Sequence, residues 1–352
     1  MFAKLFRSII IGLIVAGLLL AILPVLRSSN NIFASKPDST RDEIPASYNT
    51  GVRRAAPAVV NIYNRNMSGA TNVLSLGSGV IMNERGYIIT NRHVIKDAQQ
   101  ITVVLQDGRR YEALLVGSDS LTDLAVLKID PGNLPVIPIN TQRPAHIGDV
   151  VLAIGNPYNL GQTVTQGIIS ATGRISLSTT GRQTFLQTDA SINRGNSGGA
   201  LVNSLGELMG INTLTYDKIT DGETPEGLGF AIPTELATKI MDKLIRDGRV
   251  IRGYFGIQGK EIIPVRTSNT GIDRLQGIVI TEITPTGPAA SAGFEINDII
   301  INVNNKPAVA VLETMDQVAE IRPGTEIPVV VLRDGQRLTL KMTVGEFPED
   351  NN

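Results

Sequence analysis

The stretch Gln187–Asn203, QTDASINRGNSGGALVN, sets one serine, Ser197, among glycines at positions 195, 198 and 199. Glycine lets a backbone turn sharply and a ligand approach closely, at a cost in chain entropy. A serine held in that setting is either a turn residue or an exposed nucleophile. Two residue counts limit what could serve it. The 352-residue chain has no cysteine, which excludes thiolate catalysis, Cys-type zinc sites and disulfides. It has only two histidines, His93 and His146. Any acid–base histidine is one of these two, and a His-rich metal site cannot be built.

The order of these residues along the chain discriminates between serine-enzyme folds. Gly195-Asn196-Ser197-Gly198-Gly199 formally matches the G-x-S-x-G elbow of α/β-hydrolases, but that fold needs its histidine after the serine. Here both histidines precede it. His93 lies in GYIITNRHVIKDA after an apolar strand, and Asp123 in SDSLTDLAVLKID stands at the mouth of another. His93, Asp123, Ser197 is the order of the chymotrypsin-like double barrel. An Asp123, His146, Ser197 order would suit a subtilisin-like chain, which needs a parallel α/β sheet that this sequence lacks. The chemistry explains the residue types. A serine hydroxyl is a weak nucleophile and needs a base. An imidazole titrates near neutrality, and a carboxylate behind it fixes the tautomer and stabilises the imidazolium. The Gly195 and Ser197 amides can hold the developing oxyanion.

Composition agrees with a strand-and-turn protein. There are 35 glycines and many short Val/Ile-rich runs, among them AVVNIY, GSGVIM, ITVVLQDG and VVLAIG. The spacing predicts a mostly β protein with an antiparallel barrel or sandwich. Charge is balanced, 32 basic against 33 acidic residues, and tryptophan is absent, so nothing points to nucleic acid. PTELATKIMDKLIRDG, from Pro233 to Gly248, carries apolar residues at helical spacing and predicts a helix closing the first folded part. The N-terminus is different again. Ile9 to Leu26 is an 18-residue run without a charge, close to the ~20 needed to cross a bilayer. Residues 1–27 therefore read as an uncleaved transmembrane anchor, with Lys4 and Arg7 placing the N-terminus in the cytoplasm. Residues 28–47 read as a polar tether, 48–250 as a trypsin-like protease domain and 251–348 as a second domain.

Taken together, TNRHVI, LTDLAVLKI, GNPYNLGQTVTQGIIS, QTDASINRGNSGGALVN, GELMGINT and GLGFAIP resemble the HtrA serine proteases. GIVITEITPTGPAASAGFEINDIIINVNNKPAV and the following IRPGTEIPVVVLRDGQRLTLKMTV resemble a PDZ domain of that family. One anchor, one protease and one PDZ domain is the layout of its membrane-tethered envelope-stress branch. The resemblance implies a chymotrypsin-like double β-barrel followed by one PDZ domain, catalytic His93, Asp123 and Ser197, a homotrimer and no cofactor or metal. It implies a protein of the inner membrane whose catalytic and PDZ domains face the periplasm. Its PDZ domain would capture the exposed C-termini of misfolded outer-membrane porins and relieve inhibition of the protease, which would then cut a membrane-bound anti-sigma factor. A PDZ domain takes a peptide as an added strand and holds its carboxylate on backbone amides. The matching residues are Tyr254, Phe255, Gly256 and Ile257, with Met315 in the groove. By resemblance, ATGRISLSTTGRQTF is a sensor loop, with Arg174 its contact residue. Arg194 stands where the family usually has proline, and the expectation is a looser oxyanion loop that an effector must order. Ser191 and the uncharged INTLTY segment predict a primary pocket for small or medium apolar side chains. The contrasting class is a membrane-tethered PDZ receptor or chaperone with an inert protease fold.

Overall fold

The computed structural model describes residues 2–22, 47–66, 73–174, 184–213, 227–262 and 276–348. They fall into two units, Met1–Ser47 and Tyr48–Asn352. In the first, helix α1 (Phe2–Ile22) carries most of the apolar run, and Ile9, Leu13, Ile14 and Leu18 are each more than half exposed. Among the described residues no helix is long and apolar enough to cross a membrane. The end of the uncharged run, residues 23–26, and nearly all of the expected tether lie outside the described residues.

The second unit opens with α2 (Asn49–Ala55) and continues into twelve strands. The first six are β1 (Val59–Asn66), β2 (Val73–Ile81), β3 (Tyr87–Asn91), β4 (Gln100–Val104), β5 (Arg110–Asp119) and β6 (Leu124–Lys128). They close into a barrel in the order β1-β2-β3-β6-β5-β4. A second barrel is formed by β7 (Val150–Gly155), β8 (Thr163–Arg174), β9 (Phe185–Thr188), β10 (Ala200–Asn203), β11 (Leu208–Thr213) and β12 (Gly229–Pro233). Its order is β10-β11-β12-β9-β8-β7.

Strand alternation assigns the side chains to two places. Val60 and Ile62 join Ile81, Ile88, Val103 and Leu127 in the first barrel's own core. Val151 and Ala153 do the same with Ile169, Leu201 and Ala231 in the second. The intervening residues Val59, Val80, Ile89, Leu124, Leu152, Ile154, Ala200 and Ile211 form one shared apolar seam. Strands at the seam are thus buried on both faces, which is why DLAVLKI and VVLAIG read as unbroken apolar runs rather than alternating ones. Each fully buried Ile or Leu is worth roughly 1.5–3 kcal/mol, so the seam fixes the barrels' relative placement firmly. The expected helix is α3 (Thr234–Asp247); it lays Ala237, Ile240 and Leu244 on the seam and stops at Gly248, φ 73°.

The remaining residues build the second domain. Strand β13 (Gly253–Tyr254) pairs with β20 (Gly345–Glu346). The main sheet runs β14 (Ile257–Glu261), β15 (Ile278–Ile283), β16 (Ile299–Val303), β18 (Glu326–Arg333), β19 (Gln336–Thr343), with β17 (Lys306–Pro307) on β16. Helices α4 (Pro288–Ser291) and α5 (Val311–Ala319) complete it. Its separate core holds Phe255, Ile280, Phe294, Ile300, Val318 and Val329. The junction with the barrels is polar. Both guanidinium NH2 groups of Arg252 reach the Asp119 carboxylate at 2.8 and 2.7 Å, while Lys239 and Lys243 meet Glu320 at 3.0 Å each. Arg249 and Glu346 form a further ion pair.

Candidate active site

His93 lies in the short 3₁₀ turn Arg92–Val94 that ends β3, and Asp123 in the turn joining β5 to β6. The two are 30 residues apart in sequence, but β3 and β6 are neighbours with Asn91 opposite Leu124. That register sets the carboxylate beside the ring. Asp123 Oδ2 is 2.6 Å from His93 Nδ1, and Asp123 Oδ1 accepts the His93 backbone N–H at 3.0 Å. The Asp123 carbonyl accepts from Arg92 N–H at 2.9 Å and Asn91 Nδ2 at 3.0 Å. Asp123 has φ 54°, a left-handed conformation that costs free energy and persists because these bonds hold it.

Ser197 sits in the connection before β10, buried at 3% exposure. Among the described residues its hydroxyl makes no hydrogen bond, so the Asp–His half of the constellation is bonded and the His–Ser half is not. Catalytic hydrogen bonds of this kind often close only in the substrate complex. The loop around it is tightly specified. Gly195 has φ 104° and Gly198 φ 82°; a Cβ there would lie 2.3 Å from the Asn156 carbonyl and 2.2 Å from the Ser78 carbonyl respectively. The Arg194 carbonyl accepts from Tyr158 N–H at 3.0 Å, the Gly195 carbonyl from Ser78 Oγ at 2.7 Å and the Ser197 carbonyl from Ser78 N–H at 2.9 Å. Neither the Gly195 nor the Ser197 N–H donates a backbone hydrogen bond within the described residues. The Arg194, Gly195 and Ser197 carbonyls are thus all engaged, the first by Tyr158 and the other two by Ser78. The other histidine, His146, is exposed and faces Asp149, with Nδ1 3.8 Å from Oδ2.

Comparison with known proteins extends the geometry. Residues 77–211 match the trypsin-like peptidase domain and residues 253–344 the PDZ domain. The chain is 71% identical over 357 residues to the serine endoprotease DegS of Salmonella typhimurium, covering 100% of both chains. It is 70% identical to that of Escherichia coli over 356 residues, again covering 100% of both. Among solved structures, a serine endoprotease from Yersinia pestis superposes with TM-score 0.73 at 64% identity, covering 87% of this chain and 100% of that one. The chain belongs to the HtrA serine endoproteases. It is a serine endopeptidase with a trypsin-like domain and a PDZ domain.

In this HtrA chain the PDZ domain places the expected carboxylate-binding residues at one corner. Tyr254 ends β13, Ile257 begins β14 at the edge of the sheet, and Phe255 and Gly256 bridge them. Phe255 is anchored edge-to-face on Phe294 with ring centroids 5.5 Å apart. The Phe255 and Gly256 carbonyls are engaged by Ala289 and Thr284 N–H groups at 3.0 and 2.9 Å, while neither residue's own N–H donates a backbone bond among the described residues. Met315 packs into the domain core at 8% exposure, so it underlies the groove rather than lining it openly. Arg174 is the last residue of β8, opposite Phe185; its side chain and residues 175–183 lie outside the described residues. Ser191 is exposed, and its carbonyl accepts from Thr165 Oγ1 at 2.8 Å. Ile211 to Thr213 are buried in β11, and residues 214–226 lie outside the described residues.

Sequence reasoning passed over three residues that build the site. Ser78 was legible only as part of a strand, Tyr158 as part of the GNPYNLGQTVTQGIIS motif, and Asn212 as part of the INTLTY segment. Asn212 is fully buried, with its carbonyl on Gly198 N–H at 2.9 Å and its Nδ2 on the Ala200 carbonyl at 3.0 Å. One signal was present: glycines inside a strand, as in GSG, mark close backbone approach.

Proposed function

We propose that this chain is a membrane-anchored, periplasmic, peptide-regulated serine endopeptidase in which Ser197 is the nucleophile, His93 the general base and Asp123 the residue that orients it. Ser197 Oγ attacks the scissile carbonyl carbon as its proton passes to His93 Nε2. The tetrahedral oxyanion is held by the Gly195 and Ser197 amides. Collapse breaks the C–N bond, and His93 returns the proton to the leaving amine. Water, deprotonated by the same imidazole, then releases the acyl group and restores Ser197. The observation that carries this reading is the Asp123 carboxylate, which grips His93 at both its ring and its backbone and so fixes the ring with Nδ1 protonated.

The PDZ domain takes the C-terminus of a misfolded outer-membrane porin on the Phe255 and Gly256 amides, the peptide adding beside the edge strand β14. The HtrA-type relative AlgW was solved with a decapeptide and with a tripeptide, at TM-scores of 0.76 and 0.77 to this chain, which supports peptide binding. Peptide binding relieves inhibition of the protease, with the segment after Arg174 as the sensor, and the substrate is a membrane-bound anti-sigma factor. The first residues, through Arg27, form a single-pass anchor in the inner membrane with the N-terminus in the cytoplasm, and the chain assembles as a homotrimer. A ligand can shift the protease only by binding its active state better than its resting one.

Labelling with a serine-directed fluorophosphonate, with and without a porin-type C-terminal peptide, tests the reading. The expected outcome is labelling of Ser197 that rises with peptide. Constant labelling indicates an unregulated protease. No labelling in either condition indicates a PDZ receptor with an inert protease fold.

A further inference from the structure

The geometry points to Ser78 as a positioning residue for the oxyanion hole, contributed by the barrel that does not carry the nucleophile. The inference rests on the assignment of Ser197 as nucleophile and adds to it. Ser78 lies in β2, fully buried, between Gly77 and Gly79. All three of its polar groups face the active-site loops. Its hydroxyl accepts the Asn156 N–H at 3.0 Å and donates to the Gly195 carbonyl at 2.7 Å. Its N–H donates to the Ser197 carbonyl at 2.9 Å, and its carbonyl accepts from Thr90 Oγ1 at 2.7 Å while lying against Gly198.

The consequence follows from peptide geometry. A peptide's C=O and N–H point in opposite directions, so holding a carbonyl aims the amide across the same bond. Tyr158 N–H holds the peptide before Gly195, whose amide is the Gly195 N–H, and the Ser78 hydroxyl holds the peptide after it. With both flanking peptides fixed, Gly195 is kept at φ 104°. Gly195 is the residue least able to hold a conformation unaided. The chain from Asn156 N–H through Ser78 Oγ–H to the Gly195 carbonyl also runs from the end of β7 through barrel one and back to barrel two. Ser78 therefore locks the loop to the seam. Alanine at 78 would leave a buried donor at Asn156 and a buried acceptor at Gly195. Without Ser78 the peptide after Gly195 keeps, among the described residues, only its Asn196 N–H bond to the Asn193 carbonyl at 2.9 Å. Gly195 is then freer to leave φ 104° and its own N–H to turn from the oxyanion.

The test uses the purified full chain in detergent, assayed with and without saturating C-terminal peptide. For Ser78→Ala the expected result is kcat lower by about 10- to 100-fold, with KM within about threefold. Affinity for a peptide boronate, whose tetrahedral adduct places an oxygen in the hole, falls by the same factor as kcat. Ser78→Cys, which fills the space with a weaker donor, gives a smaller loss in both. If the alanine variant does not fold, the boronate affinity of the cysteine variant carries the test. A role confined to stability would lower the melting temperature and leave boronate affinity unchanged, and that result overturns the proposal, as does a kcat within threefold of wild type in the folded alanine variant. Ser197→Ala is run alongside: turnover surviving there would remove the nucleophile assignment itself, an outcome separate from any seen at Ser78.

Discussion

Replacing Asp123 with asparagine tests how far turnover depends on the location of one proton. In the native site Oδ1 accepts the His93 backbone N–H at 3.0 Å and Oδ2 lies 2.6 Å from His93 Nδ1. Asparagine keeps a single acceptor oxygen. The backbone N–H can only donate, so the amide oxygen takes the Oδ1 position and the NH2 group is left against Nδ1. That NH2 can only donate as well. Nδ1 must therefore offer its lone pair, and the ring proton moves to Nε2, the atom that has to accept the proton of Ser197. The expected loss is about 10⁴ in kcat, or about 5.5 kcal/mol at ~1.36 kcal/mol per factor of ten. The number of hydrogen bonds is unchanged, so stability should move by less than about 1 kcal/mol. Turnover of a peptide substrate gives kcat, and ring-nitrogen chemical shifts identify the tautomer. The chain has only two histidines, so His146 serves as an internal reference. A loss of less than tenfold in a variant that carries the Nε2–H tautomer would refute the argument.

Three further outcomes follow from the structure. Gly198→Ala must place a Cβ 2.2 Å from the Ser78 carbonyl at φ 82°, and is expected to lower stability by about 2–4 kcal/mol and abolish turnover; an unchanged melting curve would contradict it. Arg252→Met takes the guanidinium from the Asp119 carboxylate, whose side chain is 5% exposed and keeps, among the described residues, only the Thr122 N–H and hydroxyl as donors. The cost should be about 2–3 kcal/mol, below the usual range for a buried pair because Arg252 is itself 15% exposed. Denaturant unfolding of Arg252→Met, Asp119→Asn and the double variant should show coupling, and strict additivity would count against the pair. In the PDZ domain, burial raises the carboxyl of Asp298, but Arg333 and the Glu295 N–H outweigh it and hold the group below its ordinary value. A depressed folded value contributes stability above the unfolded pKa, about 3.9, and that stability is lost as pH falls through the folded value. Arg333→Met should therefore lower stability at neutral pH and flatten its acid dependence below about pH 4; an unaltered acid limb would remove Arg333 from that role.

Much of the protein was legible one residue at a time. Two histidines, no cysteine and a serine preceded by both histidines exclude most hydrolase folds on residue type and chain order alone. Helix α3 could be placed to within a residue because its apolar spacing and its Gly248 stop are local signals. Barrel closure was less legible. Seam strands such as Val150–Gly155 are buried on both faces and lose the alternation that marks a strand with one wet side.

What the linear order determined by itself was the chemistry available: which imidazole, carboxylate and hydroxyl exist, and in what succession. Which of them meet was decided only in three dimensions. Asp123 reaches His93 because β3 and β6 pair in one register. The peptide after Gly195 is fixed because a serine 117 residues earlier reaches across the seam to hold its carbonyl. Such contacts depend on the mutual packing of two barrels, and a short-range pattern carries no record of packing between distant segments.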